Sequence, residues 1–271
     1  MHHNHLMFFF FVLILATGCR PNGQGGGGTE EGEEQPAPAL AFEQREFSRQ
    51  SPSCEQDSNY CALIKADYPL AVAGPEEVVK RVNDTLQSYL KVSLAVFASS
   101  PEDTQKQSIE EIADNFLKEF ETANSEEGGG ENNWQVEVSG EPLFQSKEVV
   151  SVQLTTDAYV GGAHPNSFVY LINFNTRTGE VLLLPDLVSD TARLLELAEV
   201  AFREARELGP DESLSEAGFF WGDAFALPEN YAITEEGLYF FYNPYEVAAY
   251  VFGPTEFTIE RDKLSGILKE L

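Results

Sequence analysis

Reactive side chains are scarce in this chain. Of its 271 residues three are Cys, four are His and two are Met, and three of the four histidines (His2, His3, His5) fall in the first five positions. Past them only His164 is left. A zinc site would have to be completed by carboxylates and water, because no H-x-x-x-H or C-x-x-C spacing is present. A Ser-His-Asp triad would have to recruit His164 without a G-x-S-x-G turn to present the serine. EF-hand, Walker and dinucleotide patterns are also missing, and the run Gly25 to Gly28 has neither a strand before it nor a Lys-Ser or Lys-Thr after it. No metal and no cofactor is expected, and the chain is read as non-enzymatic.

Positive charge is scarce as well. Seventeen Lys and Arg stand against 45 Asp and Glu, a formal charge of -28. Long-range repulsion excludes nucleic acid and anionic lipid faces as partners and favours a cationic one. The same acidity would also suit an exported protein that must stay soluble, or a saline habitat, so charge gives a partner's sign and not its identity.

Long apolar runs are missing too, apart from Leu6 to Ala16. As a helix that run would reach about 16 Å, roughly half a hydrocarbon core. It ends in Ala16-Thr17-Gly18 before Cys19, the pattern of a bacterial lipoprotein signal peptide (residues 1–18) whose Cys19 thiol receives the lipid. The expected location is the cell envelope, with the chain exported and anchored in a membrane through lipid. Arg20 after Cys19 leans toward an outer membrane where the cell has one. Residues 19–41, rich in Gly, Pro and Glu, read as a disordered tether.

With Cys19 lipidated, Cys54 and Cys61 remain. Outside the cytoplasm they should pair. Closing that short loop stabilises by about 2.5 kcal/mol on the chain-entropy model. A redox role fits poorly, since Glu55 and Asp57 beside the thiols would raise their pKa.

Forty-two percent of the residues are hydrophobic, enough for a sizeable core. Leu40–Ser48 and Tyr60–Leu70 read as strands. Val79, Val82, Leu86, Leu90, Leu94 and Phe97 recur at three and four, predicting a helix over 76–97 behind Pro75. A second helix is expected over 102–123, with Ile109, Ile112, Phe116, Leu117 and Phe120 on its buried face. From Trp134 the period changes to two, predicting three antiparallel strands up to Phe174. A helix around 191–208, strands at 231–234, 238–242 and 256–259, and a short helix from Arg261 complete the chain. The fold class is α+β: two small subdomains, 42–132 with the disulfide loop and 133–271, each with antiparallel sheet packed against a few helices.

Two stretches carry more specific information. They are residues 155–188, with Gly161-Gly162-Ala163-His164-Pro165-Asn166, Asn173-Phe174, Thr178-Gly179, Leu184 and Asp186-Leu187, and residues 237–259, with Tyr242, Pro244-Tyr245-Glu246, Tyr250, Gly253-Pro254 and Ile259. Together they resemble the extracytoplasmic domain of unknown function shared by the lysozyme-sensing anti-sigma factor (RsiV-like), a peptidoglycan deacetylase and many bacterial lipoproteins. The residues before them are similar to the companion domain that usually precedes it. Ala249 stands where the family often has proline, and Asn175 where it often has aspartate. The resemblance implies an extracytoplasmic module without the signalling relative's sigma-binding segment or spanning helix and without room for a deacetylase domain. It also implies a partner class: a cationic, lysozyme-like protein, or peptidoglycan. The alternatives are a peptidoglycan hydrolase or deacetylase, and a structural subunit of an envelope complex.

The candidate binding or structural motif is Gly161, Gly162, His164, Asn166, Tyr242, Pro244, Tyr245 and Glu246. Gly161-Gly162 permits positive φ, and Pro165 holds His164 extended. His164 reads as a hydrogen-bonded structural residue before a catalytic one. The tyrosines read either as a recognition surface or as packing around a turn. Asp157, Asp186 and Glu246 are the carboxylates beside these motifs, with strand-end or helix-cap roles as the simpler reading.

Overall fold

The computed structural model describes residues 40–269 apart from 58, 97–100, 126–132 and 223. The expected signal peptide at 1–18, Cys19 and the expected tether up to residue 39 lie outside the described residues. The last two positions assigned to the tether belong to the fold: Leu40 is buried and Ala41 opens the first strand.

Strand β1 (Ala41–Gln50) pairs antiparallel with β2 (Ala62–Ala73). Between them the Cys54–Cys61 disulfide closes a short loop. The loop is also held from inside, where buried Ser51 donates its N–H to Ala62 O (2.9 Å) and accepts Ala62 N–H on its hydroxyl (3.0 Å). Helix α1 (Glu76–Leu94) starts behind Pro75 with Glu76 and Glu77 in its first turn, where acidic groups suit the helix dipole. It buries Val78, Val82, Leu86, Leu90 and Leu94 at a spacing of four, one stripe on a 3.6-residue helix. Phe97, expected to extend that stripe, lies outside the described residues.

Helix α2 runs Ile109–Ser125, not from 102. Ser108 sets the start: its hydroxyl accepts Glu111 N–H (3.1 Å) while its own N–H donates to the Glu111 carboxylate (2.7 Å), a reciprocal cap that restarts the helix after a tighter turn over Pro101–Lys106. Its buried face is Ile112, Ala113, Phe116 and Phe120.

Strand β3 (Trp134–Gln145) then joins β2 in parallel, from Ala62 opposite Trp134 to Asp67 opposite Ser139. The antiparallel sheet expected from the sequence holds for every other named strand pair, and this one departs for a topological reason: a parallel neighbour needs a long crossover, and α1 and α2 supply it. Strands β4 (Val149–Tyr159) and β5 (Asn166–Asn175) follow antiparallel, as the period-two pattern predicts, and complete a sheet in the order β1-β2-β3-β4-β5. The boundary drawn at 132/133 therefore runs through one sheet. Both crossover helices pack on one of its faces, α1 over Val150, Val152, Leu154, Ile172 and Phe174, and α2 against Ala62, Ile64, Ala66, Val136 and Val138.

The opposite face, around Val149 and Ser151, is covered by a second sheet of β6 (Asn230–Ile233), β7 (Gly237–Tyr242) and β8 (Thr255–Glu260), all antiparallel. A one-turn helix α3 (Leu184–Leu187) leads to α4 (Thr191–Ala205), capped by Asp190 accepting Arg193 N–H at 2.9 Å. α4 buries Leu194, Ala198 and Phe202 on the second sheet, with Phe202 ringed by Phe219, Phe220, Phe225, Tyr242 and Phe257. The helix expected from Arg261 is a succession of turns instead, interrupted by Gly266 at φ +77°.

Asparagine side chains seam the two sheets. An amide side chain sets N–H donors beside a carbonyl acceptor, as a peptide group does, and so can pair with a strand edge. Asn243 accepts Val169 N–H (2.7 Å) and donates to Val169 O (3.0 Å), Asn230 accepts Leu171 N–H (3.2 Å), and Asn173 donates to Tyr231 O (2.8 Å) while accepting Ile233 N–H (3.0 Å) and the Ser151 hydroxyl (2.7 Å). Asn243 and Asn230 thus meet Val169 and the Leu171 N–H on the outer edge of β5, and farther along that edge Leu182 N–H donates to Asn173 O and Asn175 N–H to Glu180 O.

Candidate functional site

Two loops meet beside the start of β5: residues 160–165 between β4 and β5, and residues 243–254 between β7 and β8. In the first, Gly161 (φ +85°) and Gly162 (φ +103°) occupy backbone space closed to most side chains, and Tyr159 donates its hydroxyl to Gly162 O at 3.2 Å. A Cβ on Gly162 would meet nothing within 4 Å, so its glycine answers to backbone shape and not to close packing.

In the second loop Asn243-Pro244-Tyr245-Glu246 forms a turn closed by Glu246 N–H to Asn243 O (3.1 Å). Proline stands at its second position and Tyr245, at φ +68°, at its third, where glycine is usual. A non-glycine residue held there costs on the order of 1–3 kcal/mol. The Glu246 carboxyl folds back to accept Asn243 N–H at 2.8 Å, locking the turn from its other side. Desolvation beside the turn raises the Glu246 pKa above its ordinary value; the hydrogen bond from Asn243 works against this and nearby Glu229 adds to it.

The loops are joined by rings. His164 stacks on Tyr250 with centroids 3.7 Å apart and planes 16° from parallel, and Tyr245 lies 5.6 Å from Tyr250. Pro165 O accepts the Tyr250 hydroxyl (2.9 Å) and sits 2.9 Å from His164 Nδ1; with Nδ1 as donor there, Nε2 accepts the Tyr245 hydroxyl at 3.3 Å. The Tyr245 ring remains 56% exposed. The motif thus divides: His164, from the loop of Gly161 and Gly162, meets Tyr245, from the turn of Pro244 and Glu246, while Asn166 begins β5 opposite Ala158 and Tyr242 is core. Its hydroxyl donates to Ala226 O, and burial raises its pKa far above the phenol range. Asp157 is exposed on β4 opposite Ser167, and Asp186 accepts Leu183 N–H at 2.8 Å, capping α3. Among the described residues no group of three or more His, Cys, Asp or Glu is placed to hold a metal.

Three exposed apolar residues escaped the sequence reading: Val251 (84% exposed) and Phe252 (41%) within the second loop, and Trp221 (75%). The 218–221 segment reaches the second loop through Phe220 N–H to Val247 O (2.8 Å) and through Phe252 packed on Phe219 (5.1 Å between centroids). Hydrophobicity alone does not separate such residues from core ones. Arg206 also went unflagged. From the end of α4 its guanidinium donates to Phe252 O (3.1 Å), Gly253 O (3.4 Å), Pro254 O (2.8 Å) and the Thr255 hydroxyl (2.8 Å), and lies 5.0 Å over the Phe219 ring. It clamps the outgoing limb of the loop, and burial lowers its pKa.

Comparison with known proteins matches two family models to consecutive parts of the chain. Residues 54–167 match the family described as deacetylase PdaC, and residues 183–262 the family described as a protein of unknown function, DUF3298. Gly161 to Asn166, read from sequence with the second stretch, falls in the first match, so the ring cluster draws His164 from one family's region and Tyr245 and Tyr250 from the other's. The peptidoglycan-N-acetylmuramic acid deacetylase PdaC of Bacillus subtilis is 25% identical over 205 residues, which make up 73% of this chain and 42% of that protein. The chain therefore spans less than half of this curated relative. Two crystal structures share the fold: a DUF3298 family protein of Pseudomonas aeruginosa (22% identity, TM-score 0.61, 85% of this chain and 94% of that one) and another of Bacteroides fragilis (17%, 0.63, 86% and 94%). No helix among the described residues is long and apolar enough to cross a membrane.

Proposed function

We propose that this protein is a lipid-anchored binding module of the cell envelope that captures a cationic protein, with lysozyme as the concrete candidate, through the face formed by His164, Tyr245 and Tyr250. The observation that carries this reading is Tyr245. Its backbone is held in a costly left-handed conformation by a turn locked on both sides, and the ring so presented stays exposed beside a stacked His–Tyr pair. Rigid, half-exposed aromatic rings are the residues that dominate protein interfaces. A charge of -28 adds attraction for a cation-rich partner and predicts salt-sensitive association.

The test is titration of lysozyme into the detergent-extracted chain at low and at physiological ionic strength, with the Tyr245→Gly variant alongside. Glycine suits the left-handed position, so this change removes the ring and keeps the turn. Binding that weakens with salt and at least tenfold with Tyr245→Gly supports the reading; no complex at either ionic strength defeats that partner. The deacetylase relative motivates a second reading, modification of peptidoglycan. Under it, turnover of cell-wall fragments would be lost in His164→Ala or Asp157→Ala, and full retention in both would remove those residues from catalysis.

A further inference from the structure

On the helix side of the large sheet, away from the loops just described, the last turn of α1 and the turn over Pro101–Lys106 stand over β4 and β5 and border a pocket of about 230 Å³, open to solvent on the side of exposed Val92 and lined deeper in by buried side chains. Its walls are mainly apolar, from Val92, Ala95, Val96, Phe168 and the ring of Tyr170, which is fixed edge-on against Tyr89 at 5.1 Å. Three hydroxyl residues also line it: Ser93 (2% exposed), Thr104 (4%) and Thr156 (1%). Ser93 Oγ and Thr156 Oγ1 are the buried side-chain polar atoms left without a hydrogen-bond partner among the described residues, and both line this one cavity.

Their placement runs against ordinary economy. A buried hydroxyl nearly always finds a partner, and a serine inside a helix has one within reach in the carbonyl four residues back, which Ser93 does not use. Thr156 faces Phe168 directly across the β4–β5 ladder, where an apolar β-branched residue would fit the same space without an unpaired group. Water is a poor occupant for the whole cavity. At about 30 Å³ each, several molecules would be needed, and each needs two to four polar partners where the walls offer a few hydroxyls. An ion is disfavoured, since no charged side chain among the described residues lines the space.

We infer that this cavity is a binding site for a small neutral molecule with an apolar body and a single hydrogen-bonding head, the body lying against Val92, Val96, Phe168 and Tyr170 and the head meeting Ser93 and Thr156. Hydroxyls both donate and accept, so alcohol, ether, ketone or amide heads satisfy the pair, whereas a carboxylate or ammonium would enter without a counter-charge. This site is independent of the surface proposed above, and either reading can fail alone.

Benzyl alcohol and toluene probe it, because they share a body and differ in the head. Binding to the whole chain is followed by methyl NMR at Val92, Ala95 and Val96. Benzyl alcohol is expected to shift those methyls and to bind at least tenfold more tightly than toluene, with Thr156→Val abolishing the difference and Ser93→Ala reducing it. Ser93→Ala also serves should Thr156→Val fold poorly. Equal affinity for the two probes, shifts confined to other methyls, absence of binding up to the solubility of both probes, or a preference untouched in both variants would each overturn the assignment.

Discussion

Replacing Asn173 with alanine should be among the most damaging single substitutions in this fold. Its side chain is 2% exposed and makes three hydrogen bonds at the join of the two sheets: to Tyr231 O, from Ile233 N–H and from the Ser151 hydroxyl. Alanine orphans all three groups where water has little access. Each unpaired buried group costs about 1–3 kcal/mol. Ser151 can rotate and the seam can relax, so the loss should be on the order of 4 kcal/mol, a large part of the 5–15 kcal/mol that typically holds a domain together. Urea denaturation gives the number. Asn173→Asp then separates hydrogen bonding from shape. As a carboxylate it still accepts from Ser151 and Ile233 but points a second acceptor at Tyr231 O; as a neutral acid it can donate there. Its folded pKa should therefore rise above the unfolded one, and the variant takes up a proton on folding. Relative to the parent at each pH, its deficit should be smallest in acid and grow as pH rises through and beyond the ordinary carboxylate range. A loss below about 1 kcal/mol for Asn173→Ala, or a deficit for Asn173→Asp that ignores pH, would refute the argument.

Other outcomes follow from the same geometry. Arg206→Met keeps the stem over Phe219 but removes the donors to residues 252–255; since those carbonyls are partly solvated, the cost should be about 1–2 kcal/mol, with faster amide exchange confined to the 249–255 segment. Glu246→Gln should raise the melting temperature at neutral pH, because the raised carboxyl pKa means ionisation there works against folding; that gain should vanish once pH falls below the unfolded carboxylate pKa. Reducing Cys54–Cys61 should cost about 2.5 kcal/mol in denaturant titration, as expected for so short a loop, without unfolding the chain.

The legible parts of this fold were those where one face meets one core. Helix α1 could be read because Val82, Leu86, Leu90 and Leu94 form a single stripe, and β3 to β5 because alternation marks which side is buried. Periodicity identifies a face and not a neighbour, which is why the parallel pairing of β2 with β3 stayed hidden. It also fails where both faces are covered: Val149 to Val152 are buried without alternation, beneath helices on one side and a second sheet on the other. The start of α2 was misplaced because Ser108 and Glu111 cap each other within a sequence that is helix-prone on both sides. In the candidate site, His164 and Tyr245 stood out through their Gly and Pro neighbours, which constrain backbone. Tyr242 stands by the same Pro244 and is core, so the signal marks a turn and not which ring it exposes; Trp221 has no such neighbour and is surface. Arg206 acts through carbonyls distant in sequence, a relation no local pattern records.

The position of β1 has a mechanical consequence. Whatever pulls on residues 1–39 pulls on Leu40, whose carbonyl accepts the Gln145 side-chain amide at 2.7 Å, and then on a strand at the rim of the sheet that is paired on one side only. Force along that strand is shared by a ladder running from Ala41 to Gln50, and the rungs must slip together; force across it opens them one after another. Beyond the far end of the ladder lies the Cys54–Cys61 loop, a covalent stop that keeps any unzipping of β1 from running through the turn into β2. The chain is thus built to bear load along one direction and to yield in the other.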